Sequence, residues 1–215
     1  MNDSNFSIAI SKEALSQMPM VTYPGKIVVV DTPEKARLAL KKLEREAVVG
    51  FDTETRPSFK KGVVHNVALV QISTAELCYL FRINQIGISE RLGRFFENPE
   101  IVKVGLSLRD DFNALHRNNQ ELNPAGFVDL QDTVKDYRIK DSSLQKIYAI
   151  AFGERISKHQ RLTNWEAAEL SPGQQVYAAI DAWACLRLYH HFISGAFVPE
   201  ESPYKVYPQE DETEI

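Results

Sequence analysis

The chain has 215 residues, 44% of them apolar and 25% charged, which is the composition of one globular domain large enough to bury a core without staples. Its two cysteines, Cys78 and Cys185, each sit in an apolar run and read as buried thiols rather than a disulfide or a metal site. No apolar stretch nears the 18 residues of a membrane span, and the first twenty residues lack the basic and apolar regions of a signal peptide, so a cytoplasmic protein with no membrane contact is expected. The net charge of −4 argues against a nucleic-acid partner until the acids are located. From Glu200 onward, Glu200, Glu201, Glu210, Asp211, Glu212 and Glu214 face only Lys205, so the rest of the chain is weakly positive. A body of that charge with local basic clusters can bind a phosphate backbone.

In chain order, residues 12–18 suit a short helix that Pro19 stops. Residues 27–30 form an apolar run suited to a strand. Thr32 then stands as an N-cap with Pro33 at the first helical position, and Ala36, Leu40 and Leu43 recur at helical spacing. The run VVGFDTET, residues 48–55, reads as a strand ending in Asp52 and Glu54. Strand side chains alternate, so these two carboxylates share a face and repel, which calls for a cation or a proton between them. A divalent, oxygen-seeking metal answers that need; an acidic surface turn is the alternative. The loop RPSFKKGVVHN follows, with Arg56, Lys60 and Lys61 placed to hold a phosphodiester strand or simply solvated.

VALVQI (67–72) and CYLFRI (78–83) read as strands joined by a turn, giving an antiparallel meander with the preceding strand. A helix over 91–97 ends before Pro99, a strand over 101–104 ends at Gly105, and a helix runs from about Asp110 to His116. A short strand over 127–130 precedes helices over 131–137, 144–152 and 172–193, the last with Ser171 as N-cap and Pro172 at the first position. The order predicts an α/β domain whose sheet is antiparallel first and parallel later. Three parts are expected: an extension over 1–23, a domain over 24–195, and an acidic tail over 196–215. The tail's Pro203, Pro208 and lack of periodicity read as disordered.

Two further acids lie at helical positions. In VKVGLSLRDDFNAL, Asp111 shares a face with Leu115, so Asp111 is directed to the core side if Leu115 packs inward, while Asp110 caps the helix or faces solvent. Acids in a first turn also complement the helix dipole. In the last helix Val176, Ile180, Ala184, Leu188 and Phe192 lie on or near one face, and Tyr177 and Asp181 share the adjoining one. An aspartate in so apolar a helix is expected to be partly buried and to need a partner. Four acids over one site suit two divalent metals, and such pairs serve phosphoryl transfer; a phenol beside them can orient a water or help take its proton.

FDTET, VKVGLSLRDDFNAL and YAAID, in this order, resemble the three motifs of the DEDD 3′→5′ exonucleases. The tyrosine marks the DEDDy branch of ribonuclease D, the DNA polymerase I proofreading domain and the Werner-type exonuclease domain. LTNW and SPGQQVYAAIDAWA look closest to the Werner type. The resemblance spans roughly residues 26–193. It implies the ribonuclease H-like α/β fold, a mixed five-stranded sheet flanked by helices. It also implies two Mg²⁺ or Mn²⁺ ions held by Asp52, Glu54, Asp111 and Asp181, with Asp52 bridging them and Tyr177 completing the catalytic set. Gly105 six residues before Asp111 and Leu115 four after it match the second motif. Where proofreading domains often carry Asn, this chain has Ser107.

The implied activity is stepwise removal of nucleoside monophosphates from a nucleic-acid 3′ end. The alternative is a catalytically silent module of the same fold that binds nucleic acid or a partner. Candidate substrate contacts are Thr53, Arg56, Lys60, Lys61, Ser107, Arg109, Lys158, Arg161 and Trp165. Lys158 and Arg161 form either a basic wall or a solvated loop, Arg109 meets a phosphate or solvent, and Trp165 stacks on a base or packs under the last helix.

Overall fold

The computed structural model describes residues 5–208. Its elements are β1 (Ser7–Ile8), α1 (Lys12–Gln17), β2 (Lys26–Val30), α2 (Pro33–Leu43), β3 (Val48–Thr55), β4 (Val67–Ser73) and β5 (Leu77–Phe81). There follow α3 (Ile83–Ile86), α4 (Glu90–Glu97), β6 (Val102–Gly105), α5 (Leu108–Asn118), β7 (Phe127–Asp129), α6 (Leu130–Thr133), α7 (Leu144–Phe152), α8 (Pro172–Ile193) and β8 (Lys205–Val206). The helix starts follow their caps. The Thr32 hydroxyl accepts from Lys35 N with Pro33 at the first turn, and Ser171 and Gln174 close a reciprocal capping box at the head of α8.

The main sheet runs in the order β2-β5-β4-β3-β6-β7. β3, β4 and β5 are antiparallel neighbours, while β2–β5, β3–β6 and β6–β7 are parallel. The mixed sheet is as expected, but it has six strands rather than five. β2 joins the far edge beside β5, with Lys26 opposite Leu77 and Val30 opposite Phe81. β4 is central and buried along its whole length, so its hydrophobic residues run without alternation. One sheet face packs on α2, α4 and α5; the other packs on α8. No described helix is long and apolar enough to cross a membrane.

α8 lies close to β3 because Gly50 has no side chain: a Cβ there would overlap the Ala182 carbonyl oxygen. Ala182 follows Asp181, so this approach sets how deep the aspartate sits. Gly50→Ala must push the helix away. It is expected to cost about 3 kcal/mol, at the upper end for overpacking, lowering Tm by roughly 10 °C. Calorimetry checks this, and an unchanged Tm would show that α8 yields without strain.

Both chain ends described here depart from expectation. β1 pairs antiparallel with β8, Ser7 opposite Val206 and Ile8 opposite Lys205. Phe6, Ile8, Ile10, Leu15, Val21 and Phe197 are buried in one apolar cluster with Phe192 and Leu188. Residues 5–23 thus send Phe6, Ile8, Ile10, Leu15 and Val21 into the core, and the segment from Phe197 to Val206 packs against them. Charge and proline dominate the tail's composition, yet Phe197 and Tyr204 suffice to anchor it. The acids from Glu210 onward lie outside the described residues.

Candidate active site

β3 carries the first acids past the point where β6 stops pairing with it, so Asp52 and Glu54 emerge on the α8 side at the sheet's edge of pairing. α8 brings Asp181 down onto them. Carboxylate oxygens of Asp52, Glu54 and Asp181 all lie within 4.8 Å of one another, and Asp181 is only 7% exposed. Asp111, in the first turn of α5, stands just outside this trio. It accepts a hydrogen bond from the Thr53 hydroxyl, which projects from the strand between the two acids. The expected facing holds: Leu115 is fully buried, Asp111 half-buried and Asp110 exposed.

Burial raises all four, and at Asp52 and Glu54 the charges of the neighbouring site acids add to it. The Asp52 carboxyl is driven well above the usual carboxylate range, first by burial and then by the charges of Asp111, Asp181 and Glu54. Glu54 is pushed up to about 9 by burial, Asp181 and Asp111. Asp111 and Asp181 are each pushed up to about 7 by burial. The opposing influences are few: the Thr53 hydroxyl on Asp111, the Tyr177 hydroxyl donating to Asp181, Arg161 near Glu54 and Lys158 near Asp181. Tyr177 holds its own proton firmly, because burial and the adjacent carboxylates raise it far above a free phenol.

Beside the acids opens a cavity of about 320 Å³, lined by Ser107, Lys158, Arg161, Tyr177 and Asp181 together with Gln131, Ser143 and Gln145. Lys158 and Arg161 are exposed at its wall. Ser107 has left-handed backbone (φ 62°). Asn adopts that conformation more readily than Ser.

Several expected substrate contacts are placed elsewhere. Trp165 is fully buried against Leu69, Leu80, Ala178 and Ala182, with its ring 6.0 Å from that of Tyr177, so it has no face to offer a base. Its role is to pack the head of α8. Thr53 is committed to Asp111. Arg109 is exposed along a different depression with Phe112, Asn113 and Asp132. Arg56 pairs with Glu166 at 3.4 Å, and Lys60 and Lys61 are exposed on the loop after β3. Val176, assigned to the inner stripe of α8, is 42% exposed.

One positioning group was not anticipated. α5 begins at Leu108, two residues earlier than the spacing predicts, and neither Asp110 nor Ser107 caps it by side chain. Asp129, at the end of β7, instead accepts from Ser107 N at 3.0 Å and Leu108 N at 2.9 Å. Its signal in the sequence is an acid at the junction of strand and helix, but the helix it caps lies 21 residues back.

A family model described as 3′-5′ exonuclease matches residues 27–194. The chain belongs to that family. This exonuclease-family chain is 31% identical over 183 residues to the mouse bifunctional 3′-5′ exonuclease/ATP-dependent helicase WRN, covering 80% of the chain but 13% of the mouse protein. It is 30% identical over 206 residues to an Arabidopsis thaliana 3′-5′ exonuclease, covering 84% of the chain and 68% of that protein. The crystal structure of Escherichia coli RNase D superposes with a TM-score of 0.71 at 20% identity, over 78% of this chain and 44% of that one. The last comparison shows that the fold is ribonuclease H-like.

Proposed function

We propose that this chain is a metal-dependent 3′→5′ exonuclease that hydrolyses nucleic-acid phosphodiester bonds and releases nucleoside monophosphates. The observation that carries the reading is the convergence of Asp52, Glu54, Asp111, Asp181 and Tyr177, from one strand and two helices, beside a cavity walled by Lys158 and Arg161. The donor set fits hard divalent cations: it is all carboxylate oxygen, and its members repel each other with little compensation from the protein. Asp52, Glu54, Asp111 and Asp181 would hold two Mg²⁺ or Mn²⁺ ions. When bound, such ions polarise the phosphate and acidify water.

The chain's own side chains do the rest. Tyr177 donates to Asp181 and stands beside the acids, where its hydroxyl orients the attacking water or helps to take its proton. Lys158 and Arg161 meet the phosphate's negative charge at the cavity wall. Thr53 fixes Asp111, and Asp129 fixes the start of the helix that carries it. Lys60 and Lys61, exposed on the loop after β3, offer positive charge to the phosphates of the strand leading to the cleaved end.

The test is a time course on 3′-recessed DNA, single-stranded DNA and RNA, each labelled at the 5′ end. The expected result is a ladder shortening from the 3′ end of at least one substrate, dependent on Mg²⁺ or Mn²⁺ and abolished by chelator. Internal cuts, or no cation-dependent shortening of any substrate, would overturn the proposal.

A further inference from the structure

Gln71 lies in the middle of β4, has no exposed surface, and makes no hydrogen bond through either side-chain atom, Nε2 or Oε1. An amide buried with all its hydrogen-bonding capacity unmet is costly, and native interiors rarely keep one without a use. Its place in the sheet suggests the use. In the β3–β4 register Gln71 stands directly opposite Asp52, while Leu69 stands opposite Glu54. Across an antiparallel pair, opposed residues present their side chains on the same face with Cβ atoms about 5 Å apart. Gln71 therefore faces the α8 side with Asp52. Its neighbour across β5 is Leu80, and the cluster on that face is Leu69, Cys78, Leu80 and the alanines of α8. Among the side chains directly across from it, Asp52 alone can hydrogen-bond.

We infer that Gln71 is a positioning residue for Asp52: its side-chain N–H, unpartnered in this structure, donates to the Asp52 carboxylate once cations are bound and holds the orientation in which that carboxylate meets them. The inference rests on the reading of Asp52 as a cation ligand. An anion taken into this layer needs a donor, and a charge-assisted bond to a neighbouring amide is stronger than a neutral one. Groups that orient a metal ligand from behind typically affect metal affinity or activity by roughly 10–100-fold when removed.

Gln71→Met keeps the volume and removes the donor. Because it also removes an unpaired amide, it is expected to leave the Tm in chelator unchanged or higher. Calorimetric titration with Mn²⁺ should show roughly tenfold or greater loss of affinity, and kcat should fall by a similar factor with KM within twofold of wild type. Mn²⁺ affinity and kcat within twofold of wild type would overturn the inference, as would a lower Tm with unchanged Mn²⁺ affinity, which would make Gln71 a packing residue. If Gln71→Met does not fold, the wild-type protein decides: on titration with Mg²⁺ the Gln71 side-chain amide signals in a ¹⁵N NMR spectrum should shift and exchange more slowly, and unmoved signals refute the role. Asp52→Ala separates the two readings. If that variant keeps full nuclease activity, the functional proposal itself fails; if it is inactive and Gln71→Met behaves as wild type, only the role of Gln71 fails.

Discussion

Asp52→Asn and Asp181→Asn are expected to lose nuclease activity and, in chelator at pH 8, to melt above the wild-type protein. The two effects have one cause. Asp181 is 7% exposed and within 4.8 Å of two other acids, so its charge in the folded state meets both burial and repulsion. An amide of the same shape removes the charge and keeps the packing. Relief of this kind typically yields about 0.5–2 kcal/mol, as when other strained functional sites are made stable at the expense of activity, which is a rise of roughly 2–8 °C for a chain of this size. Activity should fall by more than the roughly hundredfold that losing an outer partner of a metal ligand costs, because the substitution removes a ligand itself. Differential scanning calorimetry beside a cleavage assay checks both. An Asp181→Asn protein that melts lower and still cleaves would remove the cluster from the chemistry.

A second large effect is an inverted dependence of stability on pH. Glu54 rises to about 9, and Asp111 and Asp181 to about 7, while unfolded carboxylates titrate near 4. Between about pH 4 and pH 9 the folded state therefore holds more protons than the unfolded state. Stability from these groups is fully present below the unfolded values and is lost as pH rises through the folded ones. In chelator, Tm is expected to fall steadily from pH 5 to pH 9. Lys103 opposes this only above about pH 8. Buried on β6, with Nζ donating to the Asn98 carbonyl at 2.6 Å, it is pulled down to about 8 by burial, so its own contribution grows with pH above that value.

Saturating Mn²⁺ displaces the protons and reverses the trend, with the stabilisation greatest at high pH. A ligand at a hundred times its Kd adds about 2.7 kcal/mol, or roughly 5–11 °C here. Thermal melts at pH 5, 7 and 9, with chelator and with Mn²⁺, test both arms. A Tm that rises from pH 5 to pH 8 in chelator and ignores Mn²⁺ would contradict the picture.

Much of the site was legible in the sequence because the information was local. Period two put Asp52 and Glu54 on one strand face, and helical spacing tied Asp111 to Leu115 and Tyr177 to Asp181. Thr32-Pro33 and Ser171-Pro172 marked two helix starts by cap chemistry that acts within four residues. Each of these depends only on dihedral periodicity or on a hydrogen bond to a near neighbour, and the chain carries such information in the spacing of its own residues.

What the tertiary structure alone decided depends on strand register and close approach, which no spacing records. Gly50 acquires its importance from Ala182, more than a hundred residues away. Asp129 caps a helix that precedes it in the chain, and Gln71 faces Asp52 only because of the β3–β4 register. For Trp165 the sequence favours packing under the last helix over a stacking platform, and the cover of α8 removes the second. The tail is loose by composition, yet packed as far as Val206 because β1 offers it a partner strand and Phe197 a place in the core. The four acids were each visible as local features, and Asp52 and Glu54 as a repelling pair; only the tertiary structure sets Asp181 within 4.8 Å of that pair and Asp111 beside it through Thr53.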